Sequence, residues 1–458
     1  MLTYILRRLL LMIPTLLGIT IVVFVVMASA PGGISALTLV EGQNLEPQAQ
    51  KALEDYYNRL YGLDQPPPVQ YLRWLNNISP VGFAQDETGA LTGWPMVKPP
   101  DLGISFRYGR PVIDLIAERL PITLLLNVLS IPLIYVIAIA VGVRAATQRG
   151  QAFDTQASVV LLGLWSVPTM LAGVLMIGFL ASDQFWQWFP TAGLSRREAL
   201  DMPFLPLAEF WWVLPALLVF AFLAASLFMM FAAYAGRTLR TGAGMLLGGF
   251  GGSLMFGDLG VDLHWVLVGT VAGALLGTAL ARSDWLALRF SLFGGAGILV
   301  GLGVAGQLLP GTVVTGFLLD RLWHLVLPVI CLSYGGLAFL AKLSRSAVLE
   351  NLLSDYARTA RAKGVAETDV LWRHVFRNSL LPLITVSATL LPSLLAGSVI
   401  VEAIFSIEGM GKLAIEAVQT RDRELVLSIT MISGVLTLVG YLLADLAYAI
   451  ADPRVSYD

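Results

Sequence analysis

Long unbroken apolar runs, separated by short polar segments, dominate this chain. Ten of them reach or approach the roughly 20 residues that a helix needs to cross a bilayer. They lie at about 9–28, 120–143, 157–181, 211–235, 243–258, 264–281, 290–309, 324–343, 380–401 and 425–449. The runs are continuous and do not alternate at period two, so they predict helices and not the strands of a barrel. The run at 243–258 is the shortest and is rich in glycine, and it fits either a span or a re-entrant segment. The first run follows Arg7 and Arg8 and reaches Ala28-Ser29-Ala30, a layout shared with secretory signals. Its length and Pro31 just beyond point instead to an uncleaved span.

Three polar regions interrupt the pattern. Residues 29–119 contain Pro66-Pro67-Pro68, several acids and an aromatic patch of Tyr56, Tyr57, Tyr61, Tyr71 and Trp74. That is enough chain for a small folded cap, with a solvated linker as the alternative. Residues 344–378 form the only long charged segment predicted to face the cytoplasm. Small residues alternate there with bases before Gly364, which suits a turn between two short helices and suggests a docking element. Residues 402–424 carry Glu402, Glu408-Gly409-Met410-Gly411-Lys412 and Arg421-Asp422-Arg423-Glu424 between the last two runs.

Composition agrees with a membrane protein. Of 458 residues, 57% are hydrophobic and 13% charged, about half the charge of a soluble domain. A net charge of -2 argues against general nucleic-acid binding. Cys331 is the only cysteine, and His264, His324 and His374 are far apart, so there is no disulfide framework and no metal-ligand spacing. Basic residues set orientation. With the N-terminus in the cytoplasm, Lys and Arg are about twice as dense on the cytoplasmic segments as on the outer ones, and both termini fall inside.

Motifs for catalysis are missing. Gly301-Leu302-Gly303-Val304-Ala305-Gly306 fits a dinucleotide fingerprint by letter but has no preceding strand. Gly411-Lys412 lacks the rest of a phosphate loop. Gly269, Gly273 and Gly277 repeat at every fourth position of one run and predict close helix packing. Polar residues inside runs are costly in lipid, so Asn127, Gln307, Lys342 and Asp445 stand out. Thr123 and Asn127, four residues apart, share a helix face and are candidates to line a cavity, or to make interhelical hydrogen bonds. Lys342 has the reach to snorkel to the surface, and Asp445 to pair or cap near the inner end of the last run. The runs lack the several buried acids of an ion-coupled pump. Nothing marks the chain as an enzyme, and no nucleotide or cofactor site is visible in it.

Several segments, in order, resemble bacterial ABC-importer permeases of the dipeptide/oligopeptide class, in particular the first of their two permease subunits. They are Met1-Leu2-Thr3-Tyr4-Ile5-Leu6-Arg7-Arg8-Leu9 with Pro14-Thr15-Leu16; Tyr61-Gly62-Leu63-Asp64-Gln65-Pro66; Asp101-Leu102-Gly103-Ile104-Ser105; and Arg119-Leu120-Pro121-Ile122-Thr123-Leu124. Phe153-Asp154 and Ser166-Val167-Pro168 follow. The most specific stretch is 324–382. It runs from His324 to Pro328, through Asp355-Tyr356 and Arg358-Thr359-Ala360-Arg361-Ala362-Lys363-Gly364, to Arg373-His374, Arg377-Asn378 and Leu381-Pro382. It is similar to the ABC-permease coupling loop, with Arg358-Thr359-Ala360 where the generic loop has Glu-Ala-Ala. Val401-Glu402, Phe405, Gly409-Met410-Gly411, Asp445, Tyr448 and Asp452-Pro453-Arg454 complete the likeness.

The resemblance implies an all-α, polytopic transmembrane helical bundle with a six-span permease core. It departs at 196–321, where family members usually have a short outer segment and this chain has four apolar runs. The expected division is a first span (1–28), an outer loop or cap (29–119), core spans two and three (120–195), an insert of about four spans (196–321), and the rest of the core (322–458). That last part holds the cytoplasmic loop 344–378 and the outer loop 402–424. An even number of inserted spans keeps the topology of the core.

By resemblance the chain is a transport subunit of the inner (plasma) membrane. It pairs with a second permease, two cytoplasmic ATPase subunits or domains that hold ATP and Mg, and a periplasmic or lipid-anchored solute-binding protein, within membrane lipid and without nucleic acid. Asp355, Tyr356, Arg358, Thr359, Ala360, Arg361, Ala362, Lys363 and Gly364 are the implied ATPase-coupling residues. Arg358, Arg361 and Lys363 would supply charge, and Ala360, Ala362 and Gly364 close approach. Glu402, Gly409, Met410, Gly411 and Lys412 are implied to lie near the binding protein. A secondary transporter or channel without an ATPase, and a membrane signalling or assembly subunit, are the alternatives.

Overall fold

Apolar side chains cannot satisfy backbone N–H and C=O groups, so each lipid-length run closes its own hydrogen bonds as a helix. The computed structural model describes residues 2–29, 65–85, 91–257, 263–309 and 313–451, with fragments at 48–49, 51–52 and 55. Tyr56, Tyr57, Tyr61 and the Asp452-Pro453-Arg454 ending lie outside the described residues. Among those described, seven helices are long and apolar enough to cross a membrane, and a bent pair makes an eighth. The chain divides into two compact units, one of Met1–Gly173 with Pro328–Asp458 and one of Val174–Leu327.

The first unit starts with α1 (Leu2–Ser29). The described part of the 29–119 region is folded. It comprises α2 (Pro67–Ile78) and an antiparallel hairpin of β1 (Val81–Gln85) and β2 (Leu91–Val97). Trp74 of α2 is 2% exposed and packs with Phe24 and Leu427. Tyr71 stacks at 5.3 Å from Phe24 and shares a 2.9 Å hydrogen bond with Thr20 Oγ1, which ties the cap to the first span. Next comes α3 (Val112–Thr147). The later core helices are α10 (Gly316–Leu352), whose part from Pro328 onward is in this unit, the short α11 (Asp355–Ala362), α12 (Phe376–Ile404), α13 (Met410–Gln419) and α14 (Arg423–Ala451). The 36 residues of α3 and 37 of α10 exceed the apolar runs that predict them, so the charged segment that starts at Ser344 begins as a continuation of α10.

One expected span is not straight. The run 157–181 divides into α4 (Ala152–Ser166) and α5 (Thr169–Met176), the latter prolonged by a π turn at Ile177–Ala181, with a bend of 94°. The break falls at Val167-Pro168, where proline supplies no N–H and pushes the residue before it out of the helical region. Val167 is accordingly extended, and its carbonyl accepts from Tyr334 Oη at 2.7 Å. Asp445 pairs with Arg8 at 2.9 Å, joining the last and first spans.

The second unit contains α6 (Val213–Tyr234), α7 (Arg237–Gly257), α8 (Leu263–Arg282) and α9 (Leu286–Leu308), with a two-residue ladder of β3 (Leu207–Ala208) and β4 (Val313–Val314). The run at 243–258 lies in one unbroken 21-residue helix, which is not among the seven that are long and apolar enough to cross a membrane. Its glycines meet those of α8 backbone to backbone: a Cβ on Gly248 would stand 2.1 Å from the Gly273 carbonyl oxygen, and one on Gly252 equally near that of Gly269. Gly297 and Gly301 of α9 lie in the same way against Ala224, Ala225, Phe220 and Ala221 of α6. Small residues thus set two close crossings.

Candidate functional site

Two polar constructions stand at the two ends of α12. At its start the chain turns through α11. Ala357 and Ala360, three positions apart and on one face, are buried against Val143 and Ala146 of α3, Val348 of α10, and Val370 and Val375. The opposite face is open: Asp355, Arg358, Thr359, Ala362 and Lys363 are all exposed, and so is the Tyr356 ring, whose hydroxyl donates to Asn351 Oδ1 at 2.5 Å.

The helix ends by a defined rule. Gly364 has φ +77°, its N–H donates to the Arg361 carbonyl (2.9 Å), and the Val365 N–H donates to the Ala360 carbonyl (3.2 Å). Those two bonds form the helix-ending motif that glycine's left-handed conformation permits. A Cβ on Gly364 would meet nothing within 4 Å in this chain, so within the fold its role is conformational. After Glu367–Asp369 the chain passes through a π-helical stretch, Val370–Val375, directly into α12.

One expectation for this segment, that Ala360 is open to close approach, is corrected. Ala360 faces the protein's own helices, and its small size serves the packing of α11 on α3. Arg361 is exposed and is also tied to the fold. Its Nε donates to Glu367 Oε1 at 2.8 Å and its Nη1 to the Leu352 carbonyl at 3.1 Å. Arg358 makes only a 3.5 Å pair with the fully exposed Asp355 and remains a surface charge. A cleft of about 580 Å³ opens beside the turn, lined by Thr147, Arg149, Leu349, Leu353, Thr368 and Leu371 among others.

Sequence reasoning missed a nearby ion pair. Asp154, 5% exposed at the start of α4, receives Arg345 of α10 in a two-pronged contact, Nε to Oδ1 at 2.5 Å and Nη2 to Oδ2 at 2.8 Å, plus the Gly150 N–H at 2.9 Å. Parallel guanidinium–carboxylate bonds of this kind fix orientation as well as energy. Arg345→Met is expected to lower stability by about 1–2 kcal/mol, since it strands a buried carboxylate, and Asp154→Asn added to it to restore part of the loss. Thermal unfolding of the purified protein in detergent checks both.

At the far end of α12 a carboxylate is completely enclosed. Glu402 is 0% exposed and accepts Thr123 Oγ1 (2.7 Å) on Oε1, and the N–H groups of Gly411 (2.7 Å) and Lys412 (3.1 Å) on Oε2. Met410 N–H in turn donates to Thr123 Oγ1 at 2.8 Å. The free N–H groups that open α13 are therefore met by a carboxylate from α12 and a hydroxyl from α3. The two glycines make room. A Cβ on Gly409 would be 2.5 Å from Glu402 Cδ, and one on Gly411 2.5 Å from Val399 Cα.

Glu402, Gly409, Met410 and Gly411 are thus interior residues. Of the five expected near a binding protein, Lys412 alone keeps part of its side chain at the surface, bonded to Glu408. Arg119 also bonds Glu408. That carboxyl is pushed up by burial but held below its usual range overall by Lys412 and Arg119. Thr123 does line a cavity, of about 50 Å³, with Leu120, Met410, Ile429 and Ser433. Asn127 does not line it: it is 1% exposed and its Nδ2 returns to the Thr123 carbonyl at 2.8 Å.

Asp422 makes a second knot. It stands just before α14, accepts Ser105 Oγ at 2.5 Å, and also accepts the N–H groups of Arg107 (3.1 Å) and Leu425 (3.2 Å). Burial pushes its carboxyl up, against those donors. Tyr108 donates to Glu416; burial, with that carboxylate next, pushes the phenol up to about 12. The segment around 105–108 is in this way fixed to α13 and α14.

Comparison with known proteins follows this geometry. Residues 190–457 match the family described as binding-protein-dependent transport system inner membrane component, and residues 1–127 match the N-terminal region of binding-protein-dependent transport system membrane components. The chain is 31% identical over 459 residues to the oligopeptide transport system permease protein AppB of Bacillus subtilis, covering 100% of both. It is 29% identical to the dipeptide transport system permease protein DppB of Escherichia coli K12, covering 100% of this chain and 99% of the relative. It is 26% identical to the peptidoglycan transport system permease protein YejB of Agrobacterium fabrum, over 99% and 98%.

Proposed function

Because the chain belongs to the family of binding-protein-dependent transport system inner membrane components, we propose that it is one permease subunit of an ATP-driven importer for peptides or similar small solutes. In this reading it pairs with a second permease, two ATPase subunits or domains that carry ATP and Mg, and an outer solute-binding protein. The relatives named for oligopeptides and dipeptides support the solute class. The excess of bases on the segments around α11 supports a cytoplasmic position for that helix and for both termini. In this reading the insert 196–321 is an addition to a six-span core.

The observation that carries the reading is α11 itself, a short helix that packs by two alanines and leaves Asp355, Arg358, Thr359, Ala362 and Lys363 open to solvent. Such a face fits a groove on an ATPase. Because only a turn and a π-helical stretch separate α11 from α12, a push on α11 reaches α12 through rigid elements. At the other end, Glu402 grips α13 and Thr123 grips both, so the same displacement is passed to α13 and α3. Exposed Arg421 and partly exposed Lys412 and Glu408 are the polar groups that remain to meet a binding protein.

Gly364→Val tests this. A β-branched residue at φ +77° carries strain of about 1–2 kcal/mol. The expected result is normal membrane insertion with uptake lost or strongly reduced relative to ATP hydrolysis in the reconstituted complex. Wild-type uptake and wild-type stimulation of hydrolysis would remove α11 from the coupling role.

A further inference from the structure

The second unit carries a basic cluster that the transport reading does not use. Its four helices converge at one end on a buried group of Ala232 (α6), Ala281 (α8) and Phe293 (α9), with Ala243 and Leu247 of α7 beside it. Four arginines and one acid surround that end: Arg237 and Arg240 at the start of α7, Arg282 at the end of α8 with Asp284 just beyond it, and Arg289 at the start of α9.

Two of the arginines are built in. Arg240 is 8% exposed, and its Nε donates to the Ala281 carbonyl at 2.7 Å. Arg289 Nη1 donates to the Ala232 carbonyl at 3.1 Å, while its buried Nε has no partner. Each guanidinium therefore caps the C-terminal end of the helix that its own helix packs against, and keeps further N–H groups to donate. Arg237 and Arg282 are exposed beside them. Among the described residues none of the four arginines forms a salt bridge.

The charges around Arg240 are mostly of its own sign, Arg289 and Arg237 against Asp284. Gathering cations on a partly buried surface is unfavourable unless an anion joins them. The helix faces that lead away from this end are apolar and exposed, with Leu227, Met230, Leu239, Leu246 and Leu276 among them.

We infer that this end of the insert binds the phosphodiester of an anionic phospholipid, with Arg237 and Arg282 reaching the phosphate beside the capping pair Arg240 and Arg289, and acyl chains on the apolar faces. A lone inorganic anion would satisfy the guanidiniums but leave those faces uncovered, so the combination of basic end and apolar flank fits a lipid. The inference stands apart from the permease reading.

The test uses the full chain in neutral detergent, titrated with phosphatidylglycerol or phosphatidylcholine and read by native mass spectrometry. Selective retention of phosphatidylglycerol is expected. Arg237→Gln with Arg282→Gln removes two charges that cap nothing, and is expected to weaken retention about 25-fold, at about fivefold per charge. Arg196→Gln with Arg197→Gln, a charge-matched change elsewhere in the unit, is expected to leave it within about twofold. Equal retention of both lipids, unchanged retention in the first variant, or equal loss in the second would overturn the inference. So would full displacement of the lipid by inorganic phosphate at equal concentration, which would make the site one for free anions.

Discussion

Glu402→Ala is expected to cost about 3–5 kcal/mol of stability, because the four donors that now meet a carboxylate, from Thr123, Ser398, Gly411 and Lys412, would face a void. Thr123 Oγ1 and the N–H groups of Gly411 and Lys412 are all directed at its two oxygens in a fully buried place. No water-filled route is needed for this loss; an orphaned buried donor costs about 1–3 kcal/mol by itself. Glu402→Gln separates the contributions. One amide oxygen still accepts from the opening N–H groups of α13, but the amide nitrogen turns a donor towards Thr123, which is already donating. Its expected loss is intermediate. Thermal unfolding in detergent reads both variants, and an unchanged midpoint for Glu402→Ala would show that the enclosed carboxylate does not hold the α12–α13 junction. If the junction also relays motion, Glu402→Gln should lower uptake more than it lowers the midpoint would suggest, since a slack grip on α13 spoils transmission before it spoils folding.

How this knot escaped the sequence is instructive. Glu402, Gly409 and Gly411 stood out as letters, but their chemistry depends on Thr123, 279 positions away. Ser105 and Asp422 are 317 apart, and Asp154 and Arg345 are 191 apart. Nothing local in either partner of such a pair names the other, because a buried carboxylate can be satisfied by any donor the fold brings to it. The spans were legible for the opposite reason: each is one uninterrupted run whose requirement for internal hydrogen bonding is met within itself. Even there the kink at Pro168 was in plain view. Summed apolarity over 157–181 conceals it, while the stereochemistry of Val167-Pro168 predicts it. The same holds for α11. Ala357 and Ala360 sit three apart, which already places them on one face and Arg358, Thr359 and Ala362 away from it. Reading residue type without helical spacing assigned Ala360 to the wrong surface. Gly364, by contrast, followed from sequence alone, since a helix of alternating bases and small residues that ends in glycine asks for a left-handed residue.

Gly273→Leu should have the largest effect in the second unit. The hydrogen it replaces lies where a Cβ would stand 2.1 Å from the Gly248 carbonyl oxygen, 3.0 Å from its carbon and 3.1 Å from Gly252 Cα, all of them backbone atoms that no rotamer change can move aside. To admit leucine the two helices must part, and parting them also opens the contacts of Gly244 with Gly277 and of Gly252 with Gly269 along the same seam. Overpacking of a well-packed contact costs about 1–3 kcal/mol, and the loss of the neighbouring close contacts adds to it. Gly251→Ala supplies the control. It lies on α7, the other helix of the pair, but nothing stands within 4 Å of its Cβ position, so the gain in helix propensity, about 1 kcal/mol, is unopposed. Cysteines placed at Ser253 and Thr270 for cross-linking, together with thermal unfolding, distinguish the cases: Gly273→Leu should lower the midpoint and the cross-linking yield together, and Gly251→Ala should lower neither. Were Gly273→Leu to cross-link as efficiently as the parent protein, the seam would not be the element that joins α7 to α8. Opening it would also carry Arg240, whose Nε reaches the Ala281 carbonyl across that helix pair, away from its cap, so retention of phosphatidylglycerol should fall in Gly273→Leu even though no arginine is altered.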